Sequence, residues 1–159
     1  MTMPIVHDGL ATLEFLLGTW RGEGRGEYPT IDGFTYREEI DFTHVGKPFL
    51  IYRQRTWDDR GGPLHTESGY LRPVGTHAAE LIIAQPTGVT EIHTGEVFGT
   101  KLAMSAAQVG LSPTAKRVTA VTRTVSVLGD ELTYRLEMAA VGQQLQLHLD
   151  AKLYRVLDD

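Results

Sequence analysis

The 159-residue chain contains no cysteine. That absence excludes a disulfide scaffold, a cysteine-based zinc or iron–sulfur site, a thiol nucleophile and a thiolate-ligated iron, so any metal has to be held by histidine or carboxylate. Basic residues are in deficit as well, with 15 Lys and Arg against 20 Asp and Glu and a formal net charge of −5. A chain of this balance lacks the positive field that nucleic acid or an anionic membrane surface attracts, and neither is expected as a partner. Long apolar runs are missing too. The runs are as short as Leu81–Ala84, far below the ~20 residues of a membrane span. Met1–Gly9 has neither a basic start nor an apolar stretch, so no signal peptide is expected and the cytoplasm is the expected compartment. No linker, low-complexity tract or fixed-period repeat divides the chain, and residues 1–159 read as a single domain.

What is abundant is turn punctuation. Gly46-Lys47-Pro48, Asp58–Pro63, Pro73–Thr76, Pro86–Gly88, Gly99, Gly110–Pro113, Gly129-Asp130 and Gly142 recur at the spacing of an all-β sandwich or barrel. Between them lie ten candidate strands, at about 19–27, 34–43, 48–57, 64–73, 80–85, 88–95, 100–106, 116–126, 131–139 and 144–155. In the clearest, Leu132, Tyr134, Leu136 and Met138 alternate with polar residues, the pattern of a strand buried on one face. Short connections imply an up-and-down antiparallel order, and closure into a barrel removes exposed edges. One helix is expected before the first strand, where Leu10, Leu13, Leu16 and Leu17 recur near helical spacing and Gly18 is a stop signal. It would act as a lid or plug. A barrel of this size leaves room for one ligand inside.

The first strand carries Gly18, Gly22, Gly24 and Gly26 on a single face, beside Trp20. A face this bare implies close approach of another backbone, a sharp barrel bend or a flat ligand lying against it. Its spacing lacks the lysine and the strand-to-helix context of a phosphate loop. The six histidines, His7, His44, His65, His77, His93 and His148, are the pool of nitrogen ligands, and no two sit at the spacing of a local metal site. A lone strand histidine is more often solvated or hydrogen-bonded than a ligand. His7 falls in a tail and His77 in a turn. Along the last strand Leu145, Leu147, Leu149, Ala151 and Leu153 share one face, which places His148 on the other with Gln146, Asp150 and Lys152. Strict alternation therefore turns His148 outward. It faces a cavity only if the strand is bulged or if its polar phase is the inner one.

Paired acids at Glu38-Glu39 and Asp58-Asp59 do not form a glycosidase pair: neighbours on a strand point apart, and Asp58-Asp59 sits in a turn. Both are expected on a solvated barrel exterior. No nucleophile elbow supports a serine hydrolase.

Several blocks in order resemble a known family. Gly18-Thr-Trp20-Arg-Gly22-Glu-Gly24 with Tyr28-Pro-Thr30-Ile31, then Tyr36-Arg-Glu-Glu39, His44-Val-Gly46-Lys-Pro48, His65-Thr-Glu67-Ser-Gly69-Tyr70, Ala84-Gln85-Pro-Thr-Gly88 and a terminal Gln-Leu-His148-Leu resemble the nitrobindins over essentially the whole chain. The resemblance implies a ten-stranded antiparallel β-barrel of the lipocalin and fatty-acid-binding-protein type, holding haem b, one per chain. It implies that His148 is the axial iron ligand, that Thr30 contacts the haem, that Lys116 partners a propionate, and that His65, Gln85 and Met138 line the cavity. The implied activity is haem-dependent isomerisation of peroxynitrite to nitrate by the ferric form, with nitric oxide binding by the ferrous form, in a monomer or homodimer. The competing functions are a haem-free carrier of a small apolar ligand, and a nitric-oxide sensor or transporter.

Overall fold

The computed structural model describes residues 2–157. A helix at Asp8–Leu16 precedes ten strands: β1 (Gly18–Tyr28), β2 (Ile31–Thr43), β3 (Leu50–Trp57), β4 (Pro63–Val74), β5 (Ala78–Ala84), β6 (Val89–Phe98), β7 (Lys101–Leu111), β8 (Val118–Leu128), β9 (Glu131–Ala140) and β10 (Gln146–Arg155). Each strand pairs antiparallel with its sequence neighbours, and β10 returns to β1 to close the barrel. The strands follow the turn punctuation closely. One consequence of their exact bounds is that Lys116 falls in the turn before β8 rather than on the strand.

The helix is of the 3-10 type. Leu10, Leu13 and Leu16 are three apart, and in a three-residue turn they fall on one line, so all three are fully buried against the barrel. His7 is its N-cap, accepting a hydrogen bond from the Gly9 N–H at 2.9 Å. Leu17 lies just past the helix and is only half-buried. Gly18 then takes φ 127°, a turn out of the helix that an L side chain rarely adopts. Trp20 locks the plug in place: its indole N–H donates to the Leu16 carbonyl at 2.9 Å, and the Arg155 guanidinium lies over its ring at 4.2 Å.

The bare face of β1 is filled from its neighbours. A Cβ on Gly22 would stand 2.1 Å from the Lys152 carbonyl oxygen of β10, so here the backbone itself approaches. A Cβ on Gly24 or Gly26 would instead meet the rings of Tyr36 and Phe34 from β2, at 2.4 and 2.3 Å. Close approach, by backbone at one position and by aromatic rings at two, is why this strand is rich in glycine.

The two ends of the barrel differ. The plug lies at the end where β1 begins. The turns joining β1 to β2, β3 to β4, β5 to β6, β7 to β8 and β9 to β10 all gather at the other end. Beneath the plug, Ile40, Phe42, Leu50, Leu71, Leu81, Leu102, Leu132 and Leu153 form a packed core.

Leu13→Ala is expected to cost about 2–5 kcal/mol, the range for truncating a fully buried leucine. Gly22→Ala should cost about 1–3 kcal/mol, because β10 has to move away from the new methyl. Urea unfolding midpoints of the two variants against wild type measure both effects.

Candidate functional site

The open end of the barrel encloses a cavity of about 630 Å³, within the size range of pockets that take one organic ligand. Thr30, His65, Gln85, Lys116, Met138 and His148 all line it. Residues on six different strands and turns thus converge on one space. Thr30 and Lys116 are exposed in the turns at its rim, whereas His65, Gln85, Met138 and His148 are half-buried within. The motif residues Gly18, Trp20, Gly22 and Gly24 do not line it; they shape β1 and seat the plug.

The inward orientation of His148 results from a break in β10. Leu147 pairs with Glu137 of β9 and Leu149 pairs with the next residue, Leu136, so His148 is an extra residue in the ladder. Such a bulge lets two successive side chains point the same way, and His148 and Leu149 both line the cavity. The uniform face from Leu145 to Leu153 therefore does not exist. Leu149, Ala151 and Leu153 follow the inner phase, opposite Leu136, Tyr134 and Leu132, while Leu145 is 44% exposed.

The His148 ring is held from behind. Its Nδ1 lies 3.0 Å from the Glu27 carbonyl oxygen, which can only accept, so Nδ1 carries the proton and Nε2 keeps its lone pair. The Tyr28 ring meets it edge to face at 5.3 Å between centroids. Tyr28 is fixed in turn, donating to the Met138 carbonyl at 3.0 Å and accepting from the Ala140 N–H at 2.9 Å.

The floor of the cavity is a buried ionic layer. Arg123 of β8 donates two hydrogen bonds to Glu67 of β4, at 2.8 and 3.0 Å, and two to Glu91 of β6, both at 3.1 Å. His65 donates from Nε2 to Glu67 at 3.2 Å, and the Gln85 amide donates to Glu91. His93, fully buried, donates from Nε2 to Glu91 at 2.7 Å. Burial alone would push the Glu67 carboxyl up, but the Arg123 charge and the hydrogen bonds from His65 and Arg123 hold it well below the usual carboxylate range. Glu91 is lowered in the same way by Arg123 and His93.

A second buried cluster adjoins the first. Glu38, 2% exposed, accepts from the Gln54 amide at 2.7 Å and from the Tyr134 hydroxyl at 2.7 Å, and Tyr134 meets the Tyr36 hydroxyl at 2.6 Å. Among the described residues no cation touches this carboxyl, and burial pushes it up to about 7 against those two hydrogen bonds. This corrects the expectation of an exterior position for Glu38-Glu39. Glu39 does lie on the outer face, but it is covered there by Arg21 and Arg55, to which it is bonded, rather than solvated. Asp58 and Asp59 do lie in the turn, where Asp58 accepts from the N–H groups of Arg60 and Gly62. Sequence reasoning also passed over Glu67, Glu91 and Arg123. Their signal was weak: each is a charged residue in the inward phase of its strand, Glu67 and Arg123 between polar neighbours and Glu91 between Thr90 and the outward Ile92.

Among the described residues no group of three or more His, Asp or Glu is arranged to hold a metal ion directly, so a metal here would need a further ligand of its own. A single imidazole facing a cavity suits a metal that arrives within an organic macrocycle. No helix among the described residues is long and apolar enough to cross a membrane.

Comparison with known proteins agrees with the barrel fold. Residues 9–155 match the model of the THAP4-like, heme-binding beta-barrel domain family. The chain is 50% identical over 155 residues to a protein of Mycobacterium marinum named peroxynitrite isomerase 2, covering 94% of this chain and 96% of that one. It is 49% identical over 155 residues to the peroxynitrite isomerase of Nocardia farcinica, covering 94% and 92%. The crystal structure of Rv2717c from M. tuberculosis superposes with a TM-score of 0.91 at 48% identity, over 96% of this chain and all of that one.

The two kinds of buried carboxyl set opposite pH trends. Glu38 binds its proton more tightly in the fold, at about 7, than at the ordinary value of 4.5, so its contribution to stability falls as pH rises through that window. Glu67 and Glu91 are lowered in the fold, so their contribution is complete above 4.5 and lost as pH falls below it. Glu38→Gln is expected to remove the decline between about pH 4.5 and 7 and leave the acid-side loss intact. Urea midpoints of both proteins across pH 3–8 test this.

Proposed function

The chain belongs to the THAP4-like haem-binding β-barrel family to which the nitrobindin resemblance points, and from this we propose that it is a haem-dependent peroxynitrite isomerase that holds one haem b through His148. The observation that carries the reading is the state of the His148 ring. With Nδ1–H committed to the Glu27 carbonyl, the Nε2 lone pair is the atom left for a metal on the cavity side. If bound, haem would supply the iron chemistry for isomerising peroxynitrite to nitrate in its ferric state and for taking up nitric oxide in its ferrous state.

The chain's own residues do the rest. The Glu27 carbonyl and the Tyr28 ring fix the tautomer and the plane of His148. Thr30 and Lys116 at the rim are placed to meet the polar edge of the macrocycle, where an ammonium suits a carboxylate. Met138, Val121, Leu136 and Leu149 line the cavity with apolar surface, which excludes water and confines reactive fragments. His65 and Gln85 supply polarity, and their anchors on Glu67 and Glu91 restrict their motion. Isomerisation moves no net proton, so the site has no need of a general acid in the cavity.

Hemin titration should give a sharp Soret band saturating at one haem per wild-type chain and only weak, nonspecific absorbance for His148→Ala. A normal band and stoichiometry in that variant would overturn the ligand assignment, and weak absorbance in wild type would instead favour the haem-free carrier. Loaded wild type should raise nitrate yield from peroxynitrite and protect free tyrosine from nitration, whereas equal protection by the haem-free protein would reduce it to a scavenger. Lys116→Ala should weaken haem affinity by no more than about fivefold, since an exposed ion pair is worth ~0–1 kcal/mol.

A further inference from the structure

Of the two phenols that line the cavity, Tyr28 and Tyr36, Tyr36 is the one wired to a base. The Tyr36 ring lines the cavity, its hydroxyl lies 2.6 Å from that of Tyr134, and Tyr134 donates to the Glu38 carboxylate at 2.7 Å. Because the Tyr134 proton is committed to Glu38, the proton in the Tyr36–Tyr134 bond belongs to Tyr36. The chain is therefore directed from the cavity wall to a buried acid, phenol to phenol to carboxylate. We propose that Tyr36 is a one-electron donor that traps nitrogen dioxide in the cavity, its phenolic proton passing through Tyr134 to Glu38.

The chemistry favours this tyrosine over its neighbours. A phenol that loses an electron becomes a strong acid, so oxidation proceeds readily only where a base is already hydrogen-bonded. Tyr28 lies beside His148, but its hydroxyl proton is held by backbone carbonyls, which do not take up a proton. Tyr52 reaches Glu67 at 2.9 Å, but that carboxylate is clamped by Arg123 and is a weak base. Among the described residues Glu38 has no cationic partner within hydrogen-bond distance, and burial raises its affinity for a proton toward neutrality. The role rests on the proposed function for its oxidant, because nitrogen dioxide is the radical that peroxynitrite releases when its O–O bond breaks.

The step balances as follows. One electron passes from the Tyr36 phenol to nitrogen dioxide, giving nitrite. The Tyr36 proton moves to the Tyr134 oxygen as the Tyr134 proton moves to Glu38, leaving a neutral phenoxyl on Tyr36 and a carboxylic acid at Glu38. One electron from a small solvent reductant, a thiol or ascorbate, and the return of the proton from Glu38 restore the phenol.

The test generates nitrogen dioxide radiolytically, so it does not depend on whether the protein isomerises peroxynitrite. The 159-residue protein, with and without hemin, is freeze-quenched and read by electron paramagnetic resonance. Wild type and Tyr28→Phe should show a neutral phenoxyl signal with nitrite formed in equal amount. Tyr36→Phe should lose at least tenfold of that signal, and Glu38→Gln should slow its appearance at least tenfold. An undiminished signal in Tyr36→Phe, or an unchanged rate in Glu38→Gln, would overturn the proposal. A readout without variants guards against misfolding: in wild type oxidised without reductant, peptide mapping should find 3-nitrotyrosine at Tyr36 in excess of Tyr28, and the reverse order would also overturn it. A phenoxyl on Tyr36 in a protein that leaves peroxynitrite unchanged would support the radical trap and count against the isomerase.

Discussion

One guanidinium divides this barrel in two. Arg123 spans from β8 to carboxylates on β4 and β6, satisfying both with four hydrogen bonds. Below it, leucines from the plug and the strands pack to the closed end; above it lies the cavity. Neither carboxylate could stay ionised at this depth without that cation, and removing one member of a buried charge cluster leaves the others uncompensated. The layer also holds His65 and Gln85, so the electrostatics of the floor and the positions of the polar groups at the cavity wall have the same source.

The fold was legible because closure of a small all-β chain depends on turns, and turn residues declare themselves by type. The plug was legible for a similar reason: Leu10, Leu13 and Leu16 form a buried line under either helical geometry, and only the three-residue spacing selects the 3-10 form. The ionic layer was not legible. Glu38 and Glu39 are the same residue type at adjacent positions, and the register of β2 alone sends one to the interior and the other to Arg21 and Arg55. Burial of a charge depends on partners more than fifty residues away in the chain, such as Arg123 for Glu67, and no local pattern encodes that distance.

His148 shows the same limit more sharply. Alternation along β10 turned it outward, and resemblance to known proteins turned it inward. The bulge reconciles them by adding one residue to one strand, which shifts the phase of everything before it. A bulge leaves almost no mark in composition, because it depends on how two strands pair and not on which residues they contain. The rim and wall residues Thr30, His65, Gln85, Lys116 and Met138 were reached through motif resemblance for the same reason: they come from separate strands and turns, and only the closed barrel brings them together.

The plug at Asp8–Leu16 makes the barrel a vessel closed at one end. Because the ionic floor and the packed leucines fill the far end, whatever enters past Thr30 and Lys116 meets no passage through that end among the described residues. Arrival and departure therefore share the open end. A molecule still inside delays its successor, and any bulky group seated across that aperture sets the traffic in both directions.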